Sequence, residues 1–385
     1  MRSKFFLCSL IFLVMFCFFM LGFSEPTEAA ADDVIKFASH TVGTGGYVLT
    51  SLIAEAIMEK FGITVRSIPS GSEVGRTKML LQGEADAEIF SSSGGWVMQE
   101  GLFNFGTRDM GPQPIRYLWL IRHSGMAMAV SGNSDIYQIA DLKGKKVNRL
   151  PPSPGQDVII EGNLAYGGLT WDDVVSSPPL SGPAEAYDYV VTGKSDATVF
   201  NIISSKASEL ASMPGGIRYL EVPPTDTEGW KRLREIAPFI LPRLSSMGAN
   251  ISEEKPIWTM TMGYPVFICM ADLDEDIAYK ITKYINESYP LYSQRDDSLK
   301  LDSTIDLTLS LFEQDVAPMH RGAVRYFKEI GKWSEEDENI NQKRIERQEK
   351  LKELWDSTIN EAEEKGIKEE NFTEFWMKKR AGAGM

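Results

Sequence analysis

Residues 34 to 61 read VIKFASHTVGTGGYVLTSLIAEAIMEKF. The first part, Val34 to Ala38, has the β-branched and aromatic side chains of a short buried strand. The second part carries apolar residues at the spacing of one helix face, namely Leu49, Leu52, Ile53, Ala56 and Ile57. A strand followed directly by a helix is the unit of α/β proteins, and the same alternation continues to about Ile330. The sequence therefore predicts an α/β fold with mainly parallel strands.

Further strands are predicted outward from this unit. They cover Thr64 to Ile68, Ala87 to Phe90, Tyr117 to Ile121, Ala127 to Val130, Lys146 to Leu150, Ala197 to Phe200 and Ile257 to Met270. We expect Ala127 to Ser131 and Ile257 to Phe267 to cross between two lobes, which could then close as rigid bodies. The predicted organisation is an export signal (1–31), a first lobe from two segments (32–130 and 257–330), an inserted second lobe (131–256) and a helical C-terminal extension (331–385).

The N-terminus has the pattern of a secretory signal. Arg2 and Lys4 precede an uncharged run from Phe5 to Phe23, and small residues follow at Ala29 to Ala31. Cleavage near Ala31 and an uncleaved anchor both fit, since about 20 apolar residues span a bilayer. In either case we expect the rest of the chain to be periplasmic.

The composition limits the classes of partner that the protein is expected to bind. The formal charge of −14 disfavours nucleic acid and anionic membranes, both of which require basic patches. Downstream of the signal the chain has one cysteine, Cys269, in an apolar run, which we interpret as a buried core thiol. The extension beyond Gly331 is charged with sparse apolar residues, which predicts a helix packed along a lobe or, alternatively, a partner-binding or dimerising helix.

Three predicted junctions between a strand and a helix share one design. They read Gly43-Thr44-Gly45-Gly46, Ser70-Gly71-Ser72-Glu73 and Ser153-Pro154-Gly155-Gln156. The second has the spacing of a capping box, and the third has a capping serine, a proline at the first helical position and a reciprocal glutamine. Ser92-Ser93-Gly94-Gly95 and Ser181-Gly182-Pro183 are similar. In an open α/β sheet these helix N-termini face one crevice, so we expect a site for a carboxylate or another anion there.

The motifs of enzymes and of metal sites are missing from the sequence. There are three histidines, His40, His123 and His320, without paired spacing, and there is no nucleophile elbow or P-loop. His123 is interpreted as a satisfied or surface histidine, and His40 as near the first junction. We therefore predict a non-enzymatic protein without cofactor or metal.

From about Val34 to Gly331 the chain resembles the TAXI family, the solute receptors of one branch of the tripartite ATP-independent periplasmic (TRAP) transporters. The similarity lies in the first two junctions and in Leu81 to Asp86, Asp141 to Val147, Gly168 to Asp173 and Pro318 to Tyr326. It implies a type II periplasmic binding-protein fold, delivery to a TRAP permease and ligands such as glutamate or 2-oxoglutarate. The chain departs from the family at Gly75-Arg76, where Asn-Leu is frequent, and at Pro154-Gly155-Gln156, which replaces a Ser-Gly-Thr loop.

Arg149 stands where TAXI receptors usually carry an apolar residue. Arg149-Leu150-Pro151 resembles the Arg-Val-Pro segment of the other large receptor branch, whose arginine grips a carboxylate with both nitrogens. The alternative is a surface arginine paired with an acidic residue, since successive strand residues point to opposite faces. The complete set of predicted ligand-binding residues is Gly45, Gly46, Tyr47, Ser70, Gly71, Ser72, Ser92, Ser93, Arg149, Ser153, Gly155, Gln156 and Ser181.

The leading hypothesis is an exported monomer that captures a small anionic metabolite between two lobes for a TRAP permease. A periplasmic sensor that presents its ligand to a receptor kinase would use the same fold and site. Neighbouring genes distinguish these two hypotheses, because a permease gene favours transport and a kinase gene favours sensing.

Overall fold

The computed structural model describes residues 34–42 and 44–385. The predicted export signal and Gly43 of the first junction lie outside these residues. In the described part of the chain, no helix combines the length and the apolar character that a bilayer crossing requires.

Strands and helices are interspersed as far as Met270, and the elements that follow in the described chain are all helices. The strands are β1 (Ile35–Ser39), β2 (Val65–Pro69), β3 (Ala87–Phe90), β4 (Ile115–Arg122), β5 (Met126–Ser131), β6 (Lys146–Val147), β7 (Val175–Ser176), β8 (Ala197–Asn201), β9 (Ile217–Tyr219), β10 (Leu241–Ser245), β11 (Ile257–Thr261) and β12 (Gly263–Met270). The α-helices are α1 (Gly45–Phe61), α2 (Glu73–Leu81), α3 (Ser92–Glu100), α4 (Pro154–Tyr166), α5 (Pro183–Val191), α6 (Ser205–Ser212), α7 (Thr227–Ile236), α8 (Glu275–Tyr292), α9 (Asp297–Asp302), α10 (Ile305–Gln314), α11 (Arg321–Glu329), α12 (Glu335–Glu364) and α13 (Glu369–Gly382). Short 3-10 turns occur at Phe103–Phe105, Ile139–Leu142 and Trp171–Asp173.

These strands form two sheets, one in each lobe. The first has the order β2-β1-β3-β12-β4, with β1 parallel to β2 and β3, and β12 antiparallel to both of its neighbours. The second has the order β10-β11-β5-β8-β6-β7, with β9 paired to β5. The predicted α/β architecture with two lobes is confirmed. The expectation of mainly parallel strands is wrong, because six of the ten strand pairings in the described residues are antiparallel, including those next to each crossing.

The chain passes between the lobes at two places. It leaves β4 at Arg122 and enters β5 at Met126, and it returns at Met262, between β11 and β12. Beside these crossings the buried Asp302 carboxylate pairs with Arg122 of β4 at 2.6 Å and with Arg243 of β10 at 3.2 Å. One carboxylate thus joins the two sheets close to where the chain crosses.

The strand predicted for Lys146 to Leu150 is shorter than expected. Only Lys146 and Val147 pair, because the Arg149 and Leu150 N–H groups donate to the side chains of Ser177 and Asp157. The β-rich run from Ile257 to Met270 forms two strands in different sheets, which agrees with the crossing predicted there. Cys269 is a buried free thiol, as predicted.

The C-terminal extension is a pair of helices, α12 and α13, rather than one. They share a small core of Leu351, Ala362, Phe372 and Trp376. One of their contacts with the first lobe is the last residue of α3, Glu100, whose fully buried carboxylate pairs with Arg347 and Arg380. Trp376 donates its indole N–H to the Gly101 carbonyl at 2.8 Å. The extension therefore holds the C-terminal end of α3.

We expect Arg380→Ala to lower the free energy of unfolding by about 1.5–3 kcal/mol, the range for a hydrogen bond to a charged group. The Arg380 Nη2 atom lies 2.6 Å from Glu100 Oε2 in a site that excludes water, and Arg347 remains as the second partner. Urea denaturation measures this loss. The control is Lys378→Ala on the same helix, whose solvent-exposed pair with Glu374 should contribute below about 0.5 kcal/mol. Equal effects of the two substitutions would contradict a structural role for the buried pair.

Candidate functional site

A cavity of about 440 Å³ lies between the two lobes. Such a volume is typical of sites for small molecules, which occupy about 300–1,000 Å³. Its polar wall consists of His40, Thr41, Thr44, Gly45, Ser70, Gly71, Glu73, Arg76, Ser91, Ser93, His123, Ser153, Gln156, Ser181, Gly182, Tyr187, Asn201, Ser204 and Tyr264. Its less polar wall consists of Met126, Pro183, Ala184, Val199 and Met262. Both lobes contribute polar residues, whereas the less polar residues come from the second lobe and from the crossing at Met262.

Five helices begin at residues of this wall. The residues that precede α1, α3, α4, α5 and α6 are Thr44, Ser91, Ser153, Gly182 and Ser204, respectively. The first N–H groups of a helix have no partner within it, and they carry the positive end of the helix dipole. Side chains cap one N–H each in α1, α3 and α6, whereas α4 and α5 have no side-chain cap. The cavity therefore offers backbone donors to a ligand acid group.

The first lobe contributes two charged side chains, Glu73 and Arg76, to the cavity wall. The guanidinium of Arg76, in α2, is almost fully buried and donates from Nε to Glu88 Oε1 at 3.1 Å. Its Nη1 donates to the Ser70 carbonyl at 3.2 Å. Glu73, one turn earlier, also lines the cavity. Two carboxyl groups thus share one buried guanidinium.

Burial governs the titration of these two carboxyl groups. It raises the pKa of Glu73 to about 7, against the opposing effects of Arg76 and of a hydrogen bond from the Gly155 backbone N–H. It raises the pKa of Glu88 to about 8, again with Arg76 opposing and with the Glu73 charge adding to the increase. Both carboxyl groups therefore titrate near neutral pH, and a charge that enters the cavity would change their protonation.

Two histidines of the wall are held neutral. Burial lowers the pKa of His40 to about 3 and that of His123 to about 4, and nearby arginines lower both further. The His123 ring accepts the Gly125 N–H at 3.0 Å, in the segment that crosses between the lobes. His123 therefore belongs to the crossing as well as to the cavity. From the sequence it was interpreted as a satisfied or surface histidine. Within residues 34–42 and 44–385, no group of His, Cys, Asp and Glu has an arrangement that could hold a metal ion.

The two lobes touch at Gly155, near the start of α4. A Cβ built on this glycine would lie 2.8 Å from the Gly94 nitrogen and 3.0 Å from Ser93 Oγ, both in α3 of the other lobe. A second contact joins the Asn104 amide to the Pro151 carbonyl at 3.3 Å. The N-termini of α3 and α4 are thus in direct contact, and a side chain at residue 155 would separate them.

The structure brings seven of the predicted ligand-binding residues together in the cavity wall. These are Gly45, Ser70, Gly71, Ser93, Ser153, Gln156 and Ser181. The predicted capping box at Ser70 is wrong, because Ser72 is the residue that caps α2. Ser153 is the N-cap residue of α4 and Pro154 its first residue, as predicted, although the Ser153 side chain caps no N–H. Ser70 is displaced from the cap position because α2 begins one residue after Ser72.

The other predicted residues lie behind or beside the cavity wall, and their placement there is a correction. The backbone of Gly46 is packed under the rings of His40 and Tyr264, and Ser92 turns inward to hydrogen-bond Asp315. Tyr47 lies in the first turn of α1 without lining the cavity. Ser72 is occupied with the Gly75 N–H, at 3.2 Å, and Gly155 forms the lobe contact.

Arg149 also lies outside the cavity. Its Nε is 3.4 Å from Asp157 Oδ2, and its guanidinium stacks over Trp171 at 4.1 Å from the ring centre. It lines a different hollow of about 290 Å³, together with Thr373 of the C-terminal extension. This placement corresponds to the surface alternative, in which the arginine pairs with an acidic residue.

Several residues of the cavity wall were not predicted from the sequence. Arg76 was noted only as a departure from the TAXI pattern, although Glu73 and Arg76 are three residues apart and so share one face of a helix. Ser204 follows β8 as a serine before a helix, which is the pattern used for the other junctions. Tyr187, Asn201 and Tyr264 carry no local signal, since long-range packing places them in the wall.

Known proteins resemble this chain at two levels. The sequence model of the NMT1-like family matches residues 37–331, which is most of the chain. Among solved structures, the periplasmic aliphatic sulphonate binding protein SsuA from Escherichia coli is 14% identical, with 77% of this chain and 83% of that one covered and a TM-score of 0.45. SsuA from Xanthomonas axonopodis pv. citri, bound to MOPS, is 13% identical with coverages of 82% and 84% and a TM-score of 0.44. The periplasmic binding protein BugD is 12% identical, with coverages of 77% and 97% and a TM-score of 0.45.

Proposed function

The chain belongs to the NMT1-like family, and from this premise we propose that it is an exported solute-binding protein that encloses a small carboxylate metabolite between its lobes. The observation that carries the proposal is the cavity of about 440 Å³ at which five helices from both lobes begin. No covalent chemistry is part of the proposed function.

The wall chemistry supports an acid group as one part of the ligand. Serine and threonine hydroxyls converge from both lobes, and α5 of the second lobe begins without a side-chain cap, so hydroxyl and backbone N–H donors are available to a carboxylate. Residues from both lobes must contact the ligand together, so binding stabilises the closed arrangement. The crossings at His123 to Gly125 and at Met262 are the hinge in this proposal.

The partner is proposed to be a transporter in the membrane. The resemblance to TAXI receptors favours a TRAP permease, to which the closed and ligand-loaded form would be delivered. A sensor for a receptor kinase would present the same closed form, and deletion of the permease genes separates the two roles. Uptake of the ligand would stop if the permease is the partner, and it would continue if the protein serves only a sensor.

We expect the chain from Asp32 onward to bind a member of a panel of amino acids, oxo acids, dicarboxylates and alkanesulfonates. A ligand at 100 times its Kd adds about 2.7 kcal/mol to the stability of the folded state. Thermal denaturation detects this increase, calorimetry gives the Kd, and mass spectrometry identifies any metabolite that co-purifies.

A variant that fills the cavity provides the control. Ala184 lines the cavity and is exposed, so Ala184→Trp should obstruct the ligand without disturbing a core. Ala383→Trp makes the same change at an exposed position of the C-terminal extension. Two results would contradict the proposal. One is that no compound of the panel binds and no metabolite co-purifies, and the other is that both variants bind the ligand equally.

A further inference from the structure

We propose that the Glu73 carboxylate binds a cationic nitrogen of the ligand, so that the protein selects an amine-bearing carboxylate over the matching oxo acid. This inference rests on the proposed function, namely that the cavity holds a small carboxylate. It assigns a separate subsite to the second functional group of that ligand.

The Glu73 side chain is in position to contact a ligand. It stands at the first position of α2 and lines the cavity, and its Oε2 atom is inaccessible to water. Among the described residues, no donor reaches this oxygen. A buried polar atom without a partner costs about 1–3 kcal/mol elsewhere in proteins, so a donor group of a ligand would be stabilised beside this oxygen.

Three features stabilise the anionic form of Glu73 against the larger effect of burial. The Gly155 N–H of the other lobe donates to the carboxyl, and the positive charge of Arg76 acts on it. Glu73 also occupies the first turn of α2, where the helix dipole stabilises a negative charge. These contacts oppose burial, and an ammonium group beside Oε2 would add the remaining favourable charge.

The other charged and titratable groups near Glu73 do not supply this partner. Arg76 donates instead to Glu88 and to the Ser70 carbonyl. Glu88 is acidic, and burial holds His40 neutral and raises the pKa of Tyr264 to about 12. The first lobe therefore has two carboxyl groups, Glu73 in the wall and Glu88 behind it, near one guanidinium, which disfavours a second acid group of the ligand at this place. The acid group instead fits the helix N-termini across the cavity.

The pH dependence of binding has a definite sign under this inference. An ammonium beside Oε2 lowers the pKa of Glu73 from about 7, so binding releases a proton from the fraction of molecules that hold one. Affinity should therefore rise between pH 6 and pH 8. If the protonated carboxyl instead donated to a ligand carboxylate, affinity would fall over the same interval.

The test compares matched pairs in calorimetry: L-glutamate with 2-oxoglutarate, and L-alanine with pyruvate. We expect the amine-bearing member of at least one pair to bind at least 30-fold more tightly than its oxo acid. Glu73→Gln keeps the shape and removes the charge, so it should weaken the amine at least tenfold and change the oxo acid less than threefold. Glu84→Gln, at an exposed glutamate of the same lobe, should change neither.

Three results would overturn the inference. Preference for the oxo acid in wild type, a fall in amine affinity from pH 6 to pH 8, or amine binding that Glu73→Gln leaves unchanged would each exclude the proposed subsite. Of these, the first two need no variant, so they hold even if Glu73→Gln folds poorly. Any of them leaves the proposed function intact when some carboxylate binds. Absence of all binding, with no metabolite co-purifying, instead contradicts the proposed function and this inference with it.

Discussion

Gly155→Val is expected to weaken ligand binding at least 100-fold while leaving each lobe folded. The Cβ of any larger residue would lie 2.8 Å from the Gly94 nitrogen, and this neighbour is backbone that cannot rotate away. The α3 and α4 N-termini would then be held apart, and the ligand could contact only one lobe at a time. A 100-fold loss corresponds to about 2.7 kcal/mol of binding free energy.

The stability of the variant should change far less than its affinity. Residue 155 lies in the first turn of α4, and a valine costs a helix no more than about 0.7 kcal/mol relative to alanine. Calorimetry with the identified ligand and small-angle scattering together measure affinity and lobe separation. Gly155→Ala should give a smaller opening, and Gly382→Ala, where a Cβ meets open space, should have no effect on either. Wild-type affinity in Gly155→Val would show that the lobes do not close through this contact.

The sequence was most informative where a signal is local. The alternation of strand and helix from Val34 onward predicted the architecture, and the small polar residues after each strand predicted which helix N-termini meet. Geometry connects these two results, because the carboxyl ends of neighbouring strands face one crevice. The structure accordingly places Ser93, Ser153 and Ser181 in one wall, although they are far apart in sequence.

Side-chain direction was much harder to predict. Arg149 was expected in the site from a three-residue resemblance, but its strand ends at Val147, and Asp157 and Trp171 hold its guanidinium on another face. Arg76 was not expected there, because only the tertiary packing of α2 against β3 brings it to Glu88. Whether a charged residue faces a cavity or solvent depends on such long-range contacts, which a single sequence does not show.

The C-terminal extension illustrates the same difference. Its charge and sparse apolar residues predicted helices and correctly placed them outside the cavity wall. They gave no sign that Arg347 and Arg380 would converge on Glu100, at the far end of the helix whose N-terminus lines the cavity. The carboxylate that pairs with these two arginines belongs to a distant segment of the chain, so the pairing follows only from the fold.

Arg76→Met is expected to lower the free energy of unfolding by about 3–5 kcal/mol at pH 9, where Glu88 of the wild type is ionised, since this is the usual cost of removing one partner of a buried ion pair. The methionine fills most of the volume, so the loss comes mainly from Glu88, which is fully buried and would retain only the Thr77 hydroxyl as a side-chain partner. Urea denaturation measures the change. Arg295→Met removes exposed pairs to Glu55 and Glu59 and should cost below about 1 kcal/mol.

The pH dependence of this loss follows from the direction of the Glu88 pKa. Burial already raises the pKa of Glu88 to about 8, and removal of Arg76 takes away the charge that opposes the increase. The folded state then holds a proton that the unfolded state releases near its ordinary pKa, so stability falls as pH rises from about 4.5 through the folded pKa. The deficit of Arg76→Met should accordingly be larger at pH 9 than at pH 5.5. The double variant Arg76→Met/Glu88→Gln should regain part of the lost stability at pH 9, because no unpaired charge remains buried. A deficit that is independent of pH, with no recovery in the double variant, would show that Arg76 stabilises the lobe by packing and not by pairing with Glu88.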